Sequence, residues 1–238
     1  MRATVFSIYF PNIVEEVREK QRLCIEKFLP EGWTFGQFLH TPQQGDNFSH
    51  ATALQNCVEL NGNDITILLD IDCIPLSKKS FAMLAEGVLV DDRKGLVGIV
   101  QRANHIQNNK HLYIGPACMA FSKAYYKDLG SPSFAETNRG DAGEELTYCW
   151  TDASGFSPRP GGSYYRYPKN VHFIWPLSCL QPVWDLDYGF KFGFGTTYGA
   201  AGAGPLFYHQ FNIRVPEMQK FFVRRCDEIL SKEREAVS

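Results

Sequence analysis

The sequence predicts an α/β protein, with a mostly parallel sheet carrying helices on both faces and an irregular C-terminal half. Three observations carry that prediction. Strand-like and helix-like segments alternate up to about residue 100, the order that builds right-handed strand–helix–strand units and a parallel sheet. Ile65–Leu69 (ITILL) is an apolar run too short for a helix and bounded by turn residues, as a strand buried on both faces is. Beyond residue 100 the alternation gives way to glycine-, proline- and aromatic-rich stretches.

The elements follow in order. Ala3–Phe10 is rich in β-branched and aromatic residues and stops at Pro11, which marks a strand. Ile13, Val14, Val17, Cys24, Ile25 and Phe28 make a helical stripe that breaks near Pro30 and Gly32. Thr34–Leu39 reads as a second strand, and His50–Leu60 as a short helix with Ala53, Leu54, Cys57 and Val58 on one face. After Ile65–Leu69 come a helix over about Lys78–Leu89 and a strand near Gly95–Gln101. Tyr113–Ser122 is a small-residue strand leading into a short helix, and Glu136–Thr151 holds an acidic helix start. Phe156–Tyr167 reads as an aromatic loop. Tyr188–Gly204 packs 6 of the 20 glycines into 17 residues and is expected to be a mobile lid or a surface loop. Met218, Phe221, Phe222, Cys226, Ile229 and Leu230 form the stripe of a C-terminal packing helix. No repeat or clean linker divides the chain, so residues 1–238 are expected to form one domain.

Composition narrows the function classes. The 238 residues carry 24 Lys+Arg against 26 Asp+Glu, a net charge of −2, with 44% hydrophobic and 21% charged residues. These values exclude a largely disordered chain and argue against binding nucleic acid through bulk charge. No apolar run approaches the ~18 residues of a membrane span, and Met1–Phe10 lacks the features of a signal peptide. A soluble cytoplasmic protein is expected. The seven cysteines (Cys24, Cys57, Cys73, Cys118, Cys149, Cys179 and Cys226) are odd in number and form no Cys-x-x-Cys pair. They are expected to be reduced thiols acting as small hydrophobes.

Asp70-Ile71-Asp72 follows ITILL directly. On an extended chain carboxylates at i and i+2 point to one side while the residue between turns inward. At the carboxyl end of a buried strand, where ligands of α/β sheets bind, such a pair suits Mg²⁺ or Mn²⁺ held against a diphosphate. The 12 aspartates predict about 0.6 such triplets by chance. A second copy, Asp185-Leu186-Asp187, lacks the apolar strand before it and reads as a solvated loop or cap.

The segment Ile65–Leu76 (ITILLDIDCIPL) resembles the Asp-x-Asp region of GT-A-fold glycosyltransferases, family-2-like enzymes that use nucleotide-sugar donors. Tyr113–Gly130 resembles that family's donor-sugar pocket. Arg139–Thr147 (RGDAGEELT) resembles its acceptor-facing acidic segment, and Leu206–Arg214 (LFYHQFNIR) the late segment whose histidine completes the metal site. Together the resemblance spans roughly residues 3–214, with a nucleotide-binding half (about 1–100) and an acceptor and metal-completing half (about 101–238). It implies a hexosyl- or pentosyltransferase with Asp72, Asp70 and His209 as ligands of Mn²⁺ or Mg²⁺. Asp70, Asp46 and His50 would contact the donor nucleoside, and small Gly115, Ala117 and Cys118 would leave room for the sugar. Asp141, Glu144 and Glu145 are the candidate catalytic carboxylates, Asp141 first, as the base of an inverting reaction.

Structural roles compete at several of these positions. Asn47 or Ser49 also fits a helix N-cap, the acidic trio also suits a helix start, and Cys73 and Cys118 also fit as core filler. His209 among Phe207, Tyr208 and Phe211 also fits as an ordinary hydrogen-bonded histidine. The implied partners are a nucleoside-diphosphate sugar and a hydroxyl acceptor: a saccharide, a small molecule or a modified nucleic-acid base. Tyr164, Tyr165, Arg166, Tyr167, Trp175 and Trp184 are candidates for stacking on it. The rival classes are a nucleotidyltransferase, a nucleotide-sugar hydrolase and an inactive nucleotide- or glycan-binding homologue. The first is weakened because Phe6–Asn12 has no glycine-rich phosphate loop.

Overall fold

The computed structural model describes residues 2–41, 49–93, 95–102, 112–137, 140–148, 170–186 and 189–232. In chain order these form β1 (Ala3–Tyr9), α1 (Glu15–Phe28), β2 (Thr34–Leu39), α2 (Ser49–Leu60), β3 (Ile65–Asp70) and β4 (Cys73–Pro75). Then come α3 (Lys78–Arg93), β5 (Leu96–Arg102), β6 (Leu112–Ser122), α4 (Lys123–Asp128) and α5 (Glu145–Tyr148). β7 (Val171–Asp185), β8 (Lys191–Ala200), β9 (Gly204–His209) and α6 (Pro216–Ser231) complete the order. Among the described residues no helix is long and apolar enough to cross a membrane.

The strands form one nine-stranded sheet in the order β2-β1-β3-β6-β5-β7-β8-β9-β4. The α/β class is as expected, but the sheet is mixed rather than mostly parallel. Parallel pairing holds for β1 with β2, β1 with β3 and β5 with β7, whereas β6 enters antiparallel between β3 and β5. Every pairing from β7 through β8 and β9 to β4 is antiparallel. Helix–strand alternation governs only connections long enough to cross over; β8 and β9 are joined by a tight turn, which allows antiparallel pairing alone.

The glycine-rich stretch is the second correction. Lys191–Ala200 is an inner strand, with Phe192, Thr196 and Tyr198 buried between β7 and β9. Its glycines allow close approach: a Cβ on Gly199 would lie 2.2 Å from the Gly204 carbonyl oxygen. Glycine there serves packing of backbone on backbone.

Helices α1 and α6 lie together. Val17, Cys24, Ile25 and Phe28 of α1 and Phe222, Cys226 and Ile229 of α6 join one core cluster with β1, β3 and β9. Val14, predicted in the α1 stripe, instead caps the helix and is half exposed; Phe221 is likewise exposed on α6. The Val14 N–H is accepted by Gln219 Oε1 of α6 at 3.1 Å, and Lys27 Nζ donates to the Ile229 carbonyl at 2.9 Å. The described cysteines are free, and all but Cys179 are buried.

Candidate active site

The site forms where β3 ends. Ile65–Leu69 is buried throughout, and Asp70, the last residue of β3, is the first to emerge. Ile71 turns into the core, Asp72 is 4% exposed, and β4 begins at Cys73. Strand β9 supplies the partner. Cys73 pairs with His209, and the Gln210 N–H donates to the Asp72 carbonyl at 3.0 Å, so one ladder fixes the two segments. One potential ligand atom each from Asp70, Asp72 and His209 lies within 4.8 Å of the others.

His209 Nε2 stands 3.2 Å from Asp72 Oδ1, and His50 Nε2, at the start of α2, 3.2 Å from Asp70 Oδ1. His209 is 2% exposed and its Nδ1 has no hydrogen-bond partner among the described residues. The ring of Phe211 packs on it at 4.0 Å between centroids, backed by Trp184 and Phe192. Phe211 and Asn212 are both in the left-handed region, at φ 54° and 56°. Residues held there gather at binding sites, where the surrounding structure fixes them, and this turn brings Asn212, Ile213 and Arg214 to the cleft wall. The Arg214 guanidinium lies 4.4 Å above the centre of the Phe10 ring, a cation–π contact.

Charge is balanced around Asp70. Burial works to raise its pKa, but the charges of His50, His209 and Arg214 and the His50 hydrogen bond together hold it below the ordinary carboxylate range. Burial likewise works to depress the His50 pKa, and its contacts with Asp70 outweigh that and raise it.

These groups line a cleft of about 470 Å³ together with Gln101, Tyr113, Pro116, Glu136 and Asp141. Tyr113 OH donates to Asp141 Oδ2 at 2.8 Å. Burial foremost, then the nearby Asp141 and Glu144, push the phenol pKa well up, which keeps it a neutral donor. The helix expected across the acidic trio is much shorter, beginning only at Glu145 after a turn in which Gly143 has φ +73°. Glu144 is fully buried and accepts the Asp141 N–H at 2.7 Å, while Asp141 Oδ1 accepts the Ala142 N–H at 2.7 Å. The trio therefore divides: Asp141 faces the cleft, Glu144 caps the turn from inside, and Glu145 accepts from Thr137 Oγ1 at 3.3 Å.

Thus Asp70, Asp72, His209, His50 and Asp141 come together in one cleft. The small residues of β6 do not line it. Ala117 and Cys118 are buried in the core, with the Cys73 thiol pushed well up by burial first and then by its contact with Cys118. Gly115 acts one step removed, since a Cβ there would fall 1.8 Å from Gln101 Oε1, whose side chain lies at the cleft. Asp46, Asn47, Asp187 and the aromatic segment Phe156–Tyr167 lie outside the described residues. Asp185 ends β7 away from the cleft, where its carbonyl accepts from Arg102 at 3.3 Å. Sequence reasoning gave no role to Gln101, Tyr113, Glu136 or Arg214; of these, Tyr113 and Arg214 lay inside segments marked by the family resemblance, and Gln101 and Glu136 only at the ends of expected elements.

No family model and no curated protein matches the chain. Solved structures resemble it at low identity. A mannosyltransferase from Pyrobaculum calidifontis, in complex with GDP-Man and Mn²⁺, shares 13% identity at a TM-score of 0.44 over 61% of this chain and 52% of its own. A Drosophila β-1,4-galactosyltransferase 7 mutant, with manganese, UDP-Gal and xylobiose, shares 15% at 0.36 over 59% and 55%. HddC from Yersinia pseudotuberculosis, with GMP-PN, shares 9% at 0.38 over 94% and 98%. The chain thus spans about half the length of the two transferases, and its functional reading rests on its own site.

Proposed function

We propose that this chain is a metal-dependent glycosyltransferase that moves a sugar from a nucleoside-diphosphate donor to an acceptor hydroxyl. The observation that carries the reading is the convergence of Asp70, Asp72 and His209 in a cleft that Asp141 also lines. Two carboxylates and one imidazole fit a divalent cation that still needs phosphate oxygens to complete its shell. The nitrogen favours Mn²⁺ over Mg²⁺, because imidazole suits transition metals better than the hardest cations. When bound, such a metal acts as a Lewis acid on the leaving diphosphate.

The chain's own groups do the rest. Arg214, fixed on Phe10, offers a second positive charge at the cleft to the diphosphate. Asp141 takes the acceptor proton as general base in an inverting transfer, and the Tyr113 hydroxyl orients it. Glu144 holds the Asp141 main chain in place, and Glu145 accepts from the Thr137 hydroxyl. His50 steers the Asp70 carboxylate toward donor and metal.

Titrating nucleoside diphosphates and their sugars with and without Mn²⁺, followed by thermal shift, tests this directly, since a ligand bound only to the native state raises its apparent stability. One nucleotide should bind only with metal, and Asp72→Ala should abolish that dependence. Asp141→Asn should keep donor binding and lose roughly 10²–10⁴-fold in transfer, the usual contribution of a general base. Metal-independent nucleotide binding, or Asp72→Ala behaving as wild type, would overturn the metal assignment. Equal loss of transfer and donor hydrolysis in Asp141→Asn would remove it as acceptor base.

A further inference from the structure

Gln21 is fully buried on α1, in the stripe it shares with Val17, Cys24, Ile25 and Phe28. A leucine would continue that stripe without interruption, so packing does not call for an amide. The amide instead reaches the bend that carries the metal-site carboxylates. Its Nε2 donates to the Asp70 carbonyl at 2.8 Å and to the Cys73 carbonyl at 3.1 Å, one on each side of Ile71-Asp72. Its Oε1 accepts from Gln37 Nε2 of β2 at 2.9 Å, and Gln37 in turn donates to the Arg18 carbonyl at 2.9 Å.

The orientation of this amide is not interchangeable. Both carbonyls of the bend can only accept, so the NH₂ must face them and the oxygen must face Gln37. The bend needs such a partner because β3 stops at Asp70 and β4 begins at Cys73. Buried carbonyls left without donors there would shift the main chain toward other partners. Asp70 and Asp72 are carried on that main chain; the β4–β9 ladder ties its far end to His209, and Gln21 joins that end to the Asp70 end.

We infer that Gln21 is a positioning residue for the metal site: its two hydrogen bonds clamp the Asp70–Cys73 bend so that both carboxylates meet His209. This deepens the glycosyltransferase reading and rests on its metal assignment. Groups that orient metal ligands without touching the ion typically govern about 10- to 100-fold in affinity.

The test is Mn²⁺ affinity, read from free Mn²⁺ by electron paramagnetic resonance in the presence of a nucleoside diphosphate. It needs a buried glutamine of purely structural role as control. Gln219 serves: it is 5% exposed, and it ties α6 to the Asn12–Val14 turn through bonds to the Asn12 carbonyl and the Val14 N–H. Gln21→Leu should weaken Mn²⁺ binding about 10- to 100-fold, and Gln37→Leu, which only orients the amide, should weaken it less. Gln219→Leu should lower the melting temperature and leave the Mn²⁺ affinity unchanged. Should Gln21→Leu fail to fold, Gln21→Met keeps the length and unbranched shape and carries the same expectation. Wild-type affinity in the folded Gln21 variant, or an equal loss in Gln219→Leu, overturns the inference alone. A wild-type protein that binds no Mn²⁺ overturns the metal assignment, and the inference with it.

Discussion

The two flanks of the sheet reach stability by opposite means. On the β2-β1-β3 flank the strands run parallel and are filled by side chains: all of Ile65–Leu69 is buried, and Phe6 and Leu68 pack under α2. On the β7-β8-β9 flank the strands run antiparallel, β7 is largely exposed beyond Pro176, and β8 depends on glycines that let backbones close on each other. One flank needs volume and the other needs its absence. The proposed metal site lies where they join, with Asp70 and Asp72 leaving the first and His209 ending the second. A substitution on either flank therefore reaches the same site through a different kind of packing.

The largest expected effect is on the first flank. Leu68 is 0% exposed within the α2-side core, and Leu68→Ala should cost roughly 2–5 kcal/mol of unfolding free energy through lost burial and the remaining cavity. Urea denaturation monitored by circular dichroism measures this. A cost near zero would show that the parallel flank is loosely packed and would end the contrast. Gly199→Ala is the matching change on the second flank and adds a single methyl. Because that methyl would meet main chain at 2.2 Å and not a movable side-chain tip, roughly 1–3 kcal/mol of destabilisation is expected from overpacking.

The contrast also explains what could be read in the sequence. ITILL announces itself because a strand buried on both faces has no polar residue to interrupt it, and Asp70 and Asp72 stand out by breaking that run. His209 carries no local signal among Phe207, Tyr208 and Phe211; only the family resemblance of its segment marked it. β8 was hidden because glycine weakens strand propensity everywhere except where backbones approach closely, and closeness is a property of the assembled sheet. The reversal of β6 between β3 and β5 was hidden for the same reason, since a strand's direction is not encoded in its own residues. The acidic trio was read as a helix because its spacing suits one, but Gly143 at positive φ delays the helix until Glu145. Gln21 did leave a trace: residues 17, 21, 24, 25 and 28 share one face, and a single amide in that apolar stripe needs a buried partner.

The smallest effect separates the two ways glycine can serve the second flank. Gly202 lies in the turn between β8 and β9, at φ +76°, with nothing within 4 Å of where a Cβ would stand. Gly202→Ala therefore meets no clash and should cost only the left-handed backbone penalty, about 1 kcal/mol. Gly202→Asn should recover part of it, because asparagine tolerates that conformation. At Gly199, where the obstacle is space, asparagine should be worse than alanine. The order of the two substitutions thus reverses between positions three residues apart, and unfolding midpoints of the four variants read it directly. If asparagine instead rescued both sites, the glycines of β8 would be turn formers, and the stretch would be a flexible hairpin and not a tightly packed strand beside His209.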